Sequence, residues 1–131
     1  MAVKKILICD DQKRLRDVLR ESILQMRDDI EVHEATDGLE ALASIERHDF
    51  DLILLDVEMP NLSGFQALEK IREKEQPGDQ RLRVVMVTAL NTSQDIIKGW
   101  ELDADGYISK PYDIDEISEA LDQSLGKSVT P

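Results

Sequence analysis

Short, wholly apolar runs that each stop on a polar functional group constrain this chain more than any other feature. Leu52-Ile53-Leu54-Leu55 lies between Asp51 and Asp56. Four apolar residues without polar alternation read as a strand buried on both faces, as in a parallel sheet. Lys5-Ile6-Leu7-Ile8-Cys9 is a second run and stops at Asp10-Asp11. Val84-Val85-Met86-Val87 stops at Thr88, and Gly106-Tyr107-Ile108-Ser109 stops at Lys110-Pro111. In a parallel sheet the C-terminal strand ends share one edge, where open α/β sheets bind ligands. Asp10, Asp11, Asp56, Thr88 and Lys110 should therefore converge. Glu58-Met59-Pro60 follows Asp56 closely, so the chain turns and no helix covers the acid at once.

Helical periods fill the gaps between these runs. Leu15, Val18, Leu19, Ile23 and Met26 recur at spacings of three and four and predict an amphipathic helix. Ile30 to Ala35 reads as another strand, with Glu31 and His33 alternating against Val32. Gly38 opens a short helix carrying Leu39, Leu42, Ala43 and Ile45. Phe65, Leu68 and Ile71 mark a third, ending before Gln76-Pro77-Gly78-Asp79, and Ser93 to Glu101 makes a fourth. A fifth starts at about Asp113, which forms a capping box with Glu116, and carries Ile114, Ile117, Leu121 and Leu125. The order is (βα)₅, an α/β chain whose parallel sheet is covered by helices on both sides. Residues 1–125 form one domain on this reading, and residues 126–131 a tail or linker stump.

Composition narrows the function classes. A net charge of −12 repels phosphate backbones and anionic lipid, so nucleic-acid binding by this chain alone is not expected. No run is long enough for a membrane span, and the N-terminal stretch is too short for a signal peptide. One cysteine excludes a disulfide within the chain and suits a reducing, cytoplasmic location. Cys9 reads as a small core residue, and His33 and His48 as solitary surface or satisfied side chains.

The ordered set Cys9-Asp10-Asp11, Asp56 with Met59-Pro60, Gly64-Phe65, Thr88-Ala89 and Gly106-Tyr107-Ile108-Ser109-Lys110-Pro111-Tyr112 resembles the receiver domain of bacterial two-component response regulators. The resemblance covers roughly residues 3 to 125. It implies the doubly wound, five-stranded flavodoxin-like fold with strand order 2-1-3-4-5. It also implies that Asp56 is the phosphoacceptor, attacking a phosphohistidine on a sensor histidine kinase or phosphotransfer protein. Asp10, Asp11, Asp56 and the backbone carbonyl of Glu58 would hold Mg²⁺, a hard cation preferring oxygen ligands. Lys110 and Thr88 would contact the phosphoryl oxygens, and the Lys110-Pro111 peptide would be cis.

By the same resemblance, Thr88 and Tyr107 are the switch residues: Thr88 moves toward the phosphoryl and Tyr107 swings inward. If Ile97 and Leu102 face the sheet, Ile96 and Trp100 are left on the outer face of the fourth helix. Ile96, Trp100 and Tyr107 are then a surface for a downstream partner, a fused output domain or a phosphorylation-dependent dimer. The bland alternative packs Trp100 into the core.

Some positions depart from the family pattern. Ser63 stands where many relatives carry Asp, and Asp103 where glycine is common; Asp tolerates a left-handed backbone at modest cost. Glu58 and Leu90 occupy positions that tune phosphoryl lifetime in the family and point to slow self-hydrolysis. The expected activity is a phosphoacceptor that assists its own phosphorylation and dephosphorylation, not an enzyme. An aspartyl-phosphate hydrolase would want Asp-x-Asp after the first strand, where this chain has adjacent acids. A flavin module would want a Ser/Thr/Gly-rich loop where Asp10-Asp11-Gln12-Lys13-Arg14 stands. A stand-alone regulator and a receiver excised from a longer protein both fit.

Overall fold

The computed structural model describes residues 3–127. Strands and helices alternate strictly: β1 (Lys4–Cys9), α1 (Lys13–Met26), β2 (Ile30–Ala35), α2 (Gly38–Arg47), β3 (Leu52–Leu55), α3 (Gly64–Lys74), β4 (Arg83–Thr88), α4 (Ser93–Glu101), β5 (Gly106–Ser109) and α5 (Ile114–Leu125). The five strands are parallel and lie in the order β2-β1-β3-β4-β5, the doubly wound flavodoxin-like arrangement.

Alternation of side chains along a strand splits each apolar run between two cores. Leu7, Cys9, Ile53, Leu55, Val84 and Met86 pack with Ala41 of α2 and Phe65, Leu68 and Ile71 of α3. Ile6, Ile8, Leu52, Leu54, Val85 and Val87 pack with Leu19 and Ile23 of α1 and Ile117 and Leu121 of α5. Register then sets the functional edge. Cys9 lies opposite Leu55, so Asp10 and Asp56 leave neighbouring strands side by side. Thr88 lies opposite Ser109, so Lys110 follows at the same level.

Local chemistry starts the helices. Ser63 caps α3 through a capping box with Gln66, so serine supports this turn. Thr92 with Asp95 does the same for α4, and Asp113 with Glu116 for α5. Asp103, after α4, has φ 67°, the left-handed conformation inferred for it.

The structure corrects several expectations. On α1 the buried stripe is Arg16, Leu19 and Ile23, whereas Leu15 and Val18 are exposed. On α4 the inward position is Gly99, where an added Cβ would lie 3.0 Å from the Tyr107 ring. Its lack of a side chain lets the helix approach that ring, and this rotates Ile97 outward to 54% exposure. Ile96 is consequently half-buried, not fully on the outer face, while Trp100 is 50% exposed and outside the core. The histidines are not solitary: the His33 and His48 rings lie 4.6 Å apart, with Phe50 edge-on to His33. Of the expected tail, residues 128–131 lie outside the described residues.

Candidate functional site

The carboxyl ends of β1 and β3 bring three acids together. Ligand oxygens from Asp10, Asp11 and Asp56 lie within 4.8 Å of one another. Asp10 and Asp56 are each 6% exposed, while Asp11 faces solvent. Backbone amides orient the two buried acids: Gln12 N–H donates to Asp10 Oδ1 at 2.9 Å and Glu58 N–H to Asp56 Oδ1 at 3.1 Å. Asp56 N–H in turn donates to the Cys9 carbonyl at 3.0 Å, extending the β1–β3 ladder to the acid itself. Three carboxylates at this separation repel one another and favour a cation among them. An all-oxygen set of this kind could hold a metal ion.

Lys110 supplies the cation of the site. Its Nζ donates to Asp10 Oδ2 at 2.6 Å and to Asp56 Oδ2 at 3.0 Å. Burial works against the ammonium, but hydrogen bonds to Asp10 and Asp56 and their charges together outweigh it. The Lys110 pKa therefore lies above its ordinary value. The Lys110-Pro111 peptide is cis, and Lys110 N–H donates to the Thr88 carbonyl at 2.8 Å. Thr88 is fully buried, and its hydroxyl accepts from Leu90 N–H at 3.3 Å.

Leu90 connects this edge to α4. Its carbonyl accepts a hydrogen bond from the Tyr107 hydroxyl, and the Tyr107 ring lies against Gly99. Burial first, then the charges of Asp95 and Asp56, push the Tyr107 phenol up to about 12, so it stays a donor at neutral pH. Burial, aided by Glu40, Asp10 and Asp37, likewise raises the Cys9 thiol, and the residue packs in the core as a small side chain.

All five strand-end residues thus reach one edge, with Asp10, Asp11, Asp56 and Lys110 in one cluster and Thr88 beside it. Sequence reasoning placed Gly64 in the motif set but gave it no role at the site. Its Cβ position lies 2.1 Å from the Asp56 carbonyl oxygen, so only glycine lets α3 start against the acid's backbone. The signal was the glycine directly after a capping serine, two positions before the capping partner.

Comparison with known proteins agrees with this geometry. Residues 6–122 match the response regulator receiver domain family. The chain is 34% identical over 125 residues to sporulation initiation phosphotransferase F of Bacillus subtilis, covering 95% of this chain and 96% of that protein. It is 33% identical over 132 residues to the nitrate/nitrite response regulator protein NarL of Escherichia coli, covering 96% of this chain but 59% of NarL. Among solved structures, the receiver domain of sensor histidine kinase PA1611 from Pseudomonas aeruginosa superposes with a TM-score of 0.83 at 26% identity. The match covers 96% of this chain and all of that one, which holds a magnesium ion coordinated in its active site cleft. No helix among the described residues is long and apolar enough to cross a membrane. The match over residues 6–122, the strand order and the acid–lysine edge agree: the chain belongs to the response regulator receiver domain family.

Proposed function

We propose that this domain is a phosphorylation-controlled switch that accepts a phosphoryl group on Asp56 from a phosphohistidine of a sensor histidine kinase or phosphotransfer protein. The observation that carries the proposal is a nearly buried carboxylate clustered with two further acids and bridged by the Lys110 ammonium. An Asp56 carboxylate oxygen attacks phosphorus, and the P–N bond breaks with its electron pair passing to the imidazole nitrogen. An aspartyl phosphate remains. Lys110 contributes positive charge to the phosphoryl oxygens, and the Thr88 hydroxyl a hydrogen bond.

The donor set suits Mg²⁺: every side-chain donor is a carboxylate oxygen, and the Lys110 ammonium already stands between two of them. Asp10, Asp11, Asp56 and the Glu58 backbone carbonyl would hold the ion. When bound, Mg²⁺ supplies charge neutralisation for the acids and for the incoming phosphoryl group. The domain stores one phosphoryl group per chain and does not turn over an external ester.

Readout runs through Leu90. When the Thr88 hydroxyl turns to the phosphoryl group it releases Leu90 N–H, and the Leu90 carbonyl carries that change to Tyr107 and α4. The partner surface is Trp100 and Tyr107 with the edge of Ile96, joined by Ile97, and it serves a downstream protein or output domain.

Incubation with Mg²⁺ and acetyl phosphate tests the chemistry. Hydroxylamine-sensitive phosphate should appear on the wild type and be absent from Asp56→Ala. Wild type without label overturns the proposal.

A further inference from the structure

We infer that Arg16 is a positioning residue that fixes the Asp10–Asp11 peptide and thereby the metal-binding pair; this rests on the proposed role of Asp10 and Asp11. Arg16 lies on α1 with a side chain 11% exposed, on the stripe it shares with Leu19 and Ile23. Charged residues are rarely so buried unless every donor has work to do. Arg16 Nη1 donates to the Asp10 backbone carbonyl at 2.7 Å, and Nε donates to Glu34 Oε1 of β2 at 3.1 Å.

The carbonyl needs that donor. The β1–β2 ladder stops where Asp10 N–H donates to the Ala35 carbonyl at 3.2 Å, because β2 ends at Ala35. The next acceptor, the Asp10 carbonyl just past β1, has no strand amide opposite it, and a buried carbonyl must find a partner elsewhere. Arg16 provides one, and the peptide plane does the rest. The Asp10 carbonyl and the Asp11 nitrogen belong to one rigid unit, so pinning the oxygen sets where Asp11 leaves the sheet. Asp11 is exposed, and no side-chain hydrogen bond is seen for it among the described residues. Its approach to Asp10 and Asp56 is therefore set from the backbone. Glu34 accepts from Nε and anchors the guanidinium from β2, its other oxygen lying 3.9 Å from Arg20, while the donor that reaches the acids meets a backbone carbonyl and not a carboxylate.

Isothermal titration of the full chain with MgCl₂ tests this, using Arg16→Met, Arg16→Lys and Glu34→Gln. Arg16→Met keeps the apolar stem and should weaken Mg²⁺ binding by about tenfold, the scale of losing a group that orients a metal ligand. Arg16→Lys, whose ammonium reaches one acceptor, should restore part of that loss. Glu34→Gln keeps an acceptor for Nε and should lose less than Arg16→Met. A merely structural Arg16 would lower the melting temperature without changing the Mg²⁺ dissociation constant. A folded Arg16→Met within about twofold of wild type overturns the inference. If Arg16→Met does not fold, unchanged Mg²⁺ affinity in both Arg16→Lys and Glu34→Gln overturns it equally. Wild type that binds no Mg²⁺ overturns the proposed metal site as well, which separates the two failures.

Discussion

Replacing Lys110 with methionine keeps most of the apolar stem and removes the cation that bridges Asp10 and Asp56. The ammonium makes hydrogen bonds of 2.6 and 3.0 Å to two acids that are nearly buried. A hydrogen bond to a charged group contributes about 1.5–3 kcal/mol, so the gross loss is about 3–6 kcal/mol. The burial cost of Lys110 itself disappears with the mutation and offsets part of this. A net cost of about 3 kcal/mol at pH 7 without Mg²⁺ follows, at the lower end of what breaking a buried pair from one side costs. For a domain of this size that is a fall in melting temperature of about 10 °C.

Two signatures separate this from lost packing. Mg²⁺ should stabilise Lys110→Met more than wild type, because the variant's acids lack any other cation. Asp10→Asn should recover part of the loss in the Lys110→Met background, since it removes one of the stranded charges. The pH dependence follows from the raised Lys110 pKa. Stability lent by such a group is fully present below its unfolded value of about 10.4 and is lost as pH rises through the folded value. The gap between wild type and variant should therefore be level from neutrality to about pH 10.4 and close above it. Urea titrations at several pH values, with and without saturating Mg²⁺, measure all of this. A variant as stable as wild type at pH 7, or a gap unaffected by Mg²⁺, would refute the reasoning.

Gly64→Ala places a Cβ 2.1 Å from the Asp56 carbonyl oxygen. It should cost about 1–3 kcal/mol, as overpacking does, and slow labelling by acetyl phosphate; wild-type behaviour in both assays would contradict the close approach. Trp100→Ala should leave stability within about 0.5 kcal/mol of wild type, as exposed positions do. Binding to the downstream partner should weaken by about 30-fold, a hot-spot loss, whereas wholesale unfolding would return Trp100 to the core. Phosphate release from the isolated labelled domain should take minutes or longer, given exposed Glu58 and apolar Leu90; release within seconds would count against slow self-hydrolysis.

The strands were legible because continuous apolar runs are short and bounded by polar residues. Their alternation with helices made the sheet parallel, but which strands are neighbours came from the family resemblance and not from the pattern. The acid–lysine edge was legible for a related reason: Asp10, Asp11, Asp56, Thr88 and Lys110 each stand at the end of such a run or within two residues after it. Helix faces were harder. On α4, Ile96 and Ile97 are adjacent, so periodicity supports two orientations, and the choice falls to a glycine that fits the Tyr107 ring. On α1 an arginine occupies the stripe that an apolar count assigns to Leu15 and Val18, because its charge is satisfied by an acid from β2 and a stranded carbonyl. The His33–His48 contact joins β2 to the segment before β3, a meeting that no local pattern encodes.

The Leu90 peptide groups have a consequence for how such a domain can change over time. Both links that pass through this residue, from the Thr88 hydroxyl and to the Tyr107 hydroxyl, use main-chain atoms. The side chain at position 90 is the part that, by family resemblance, sets how long the phosphoryl group survives. Clock and transmission therefore share one residue but no atoms. On the proposed readout, substitution at Leu90 should reset the duration of the signal while leaving intact the route by which it is conveyed.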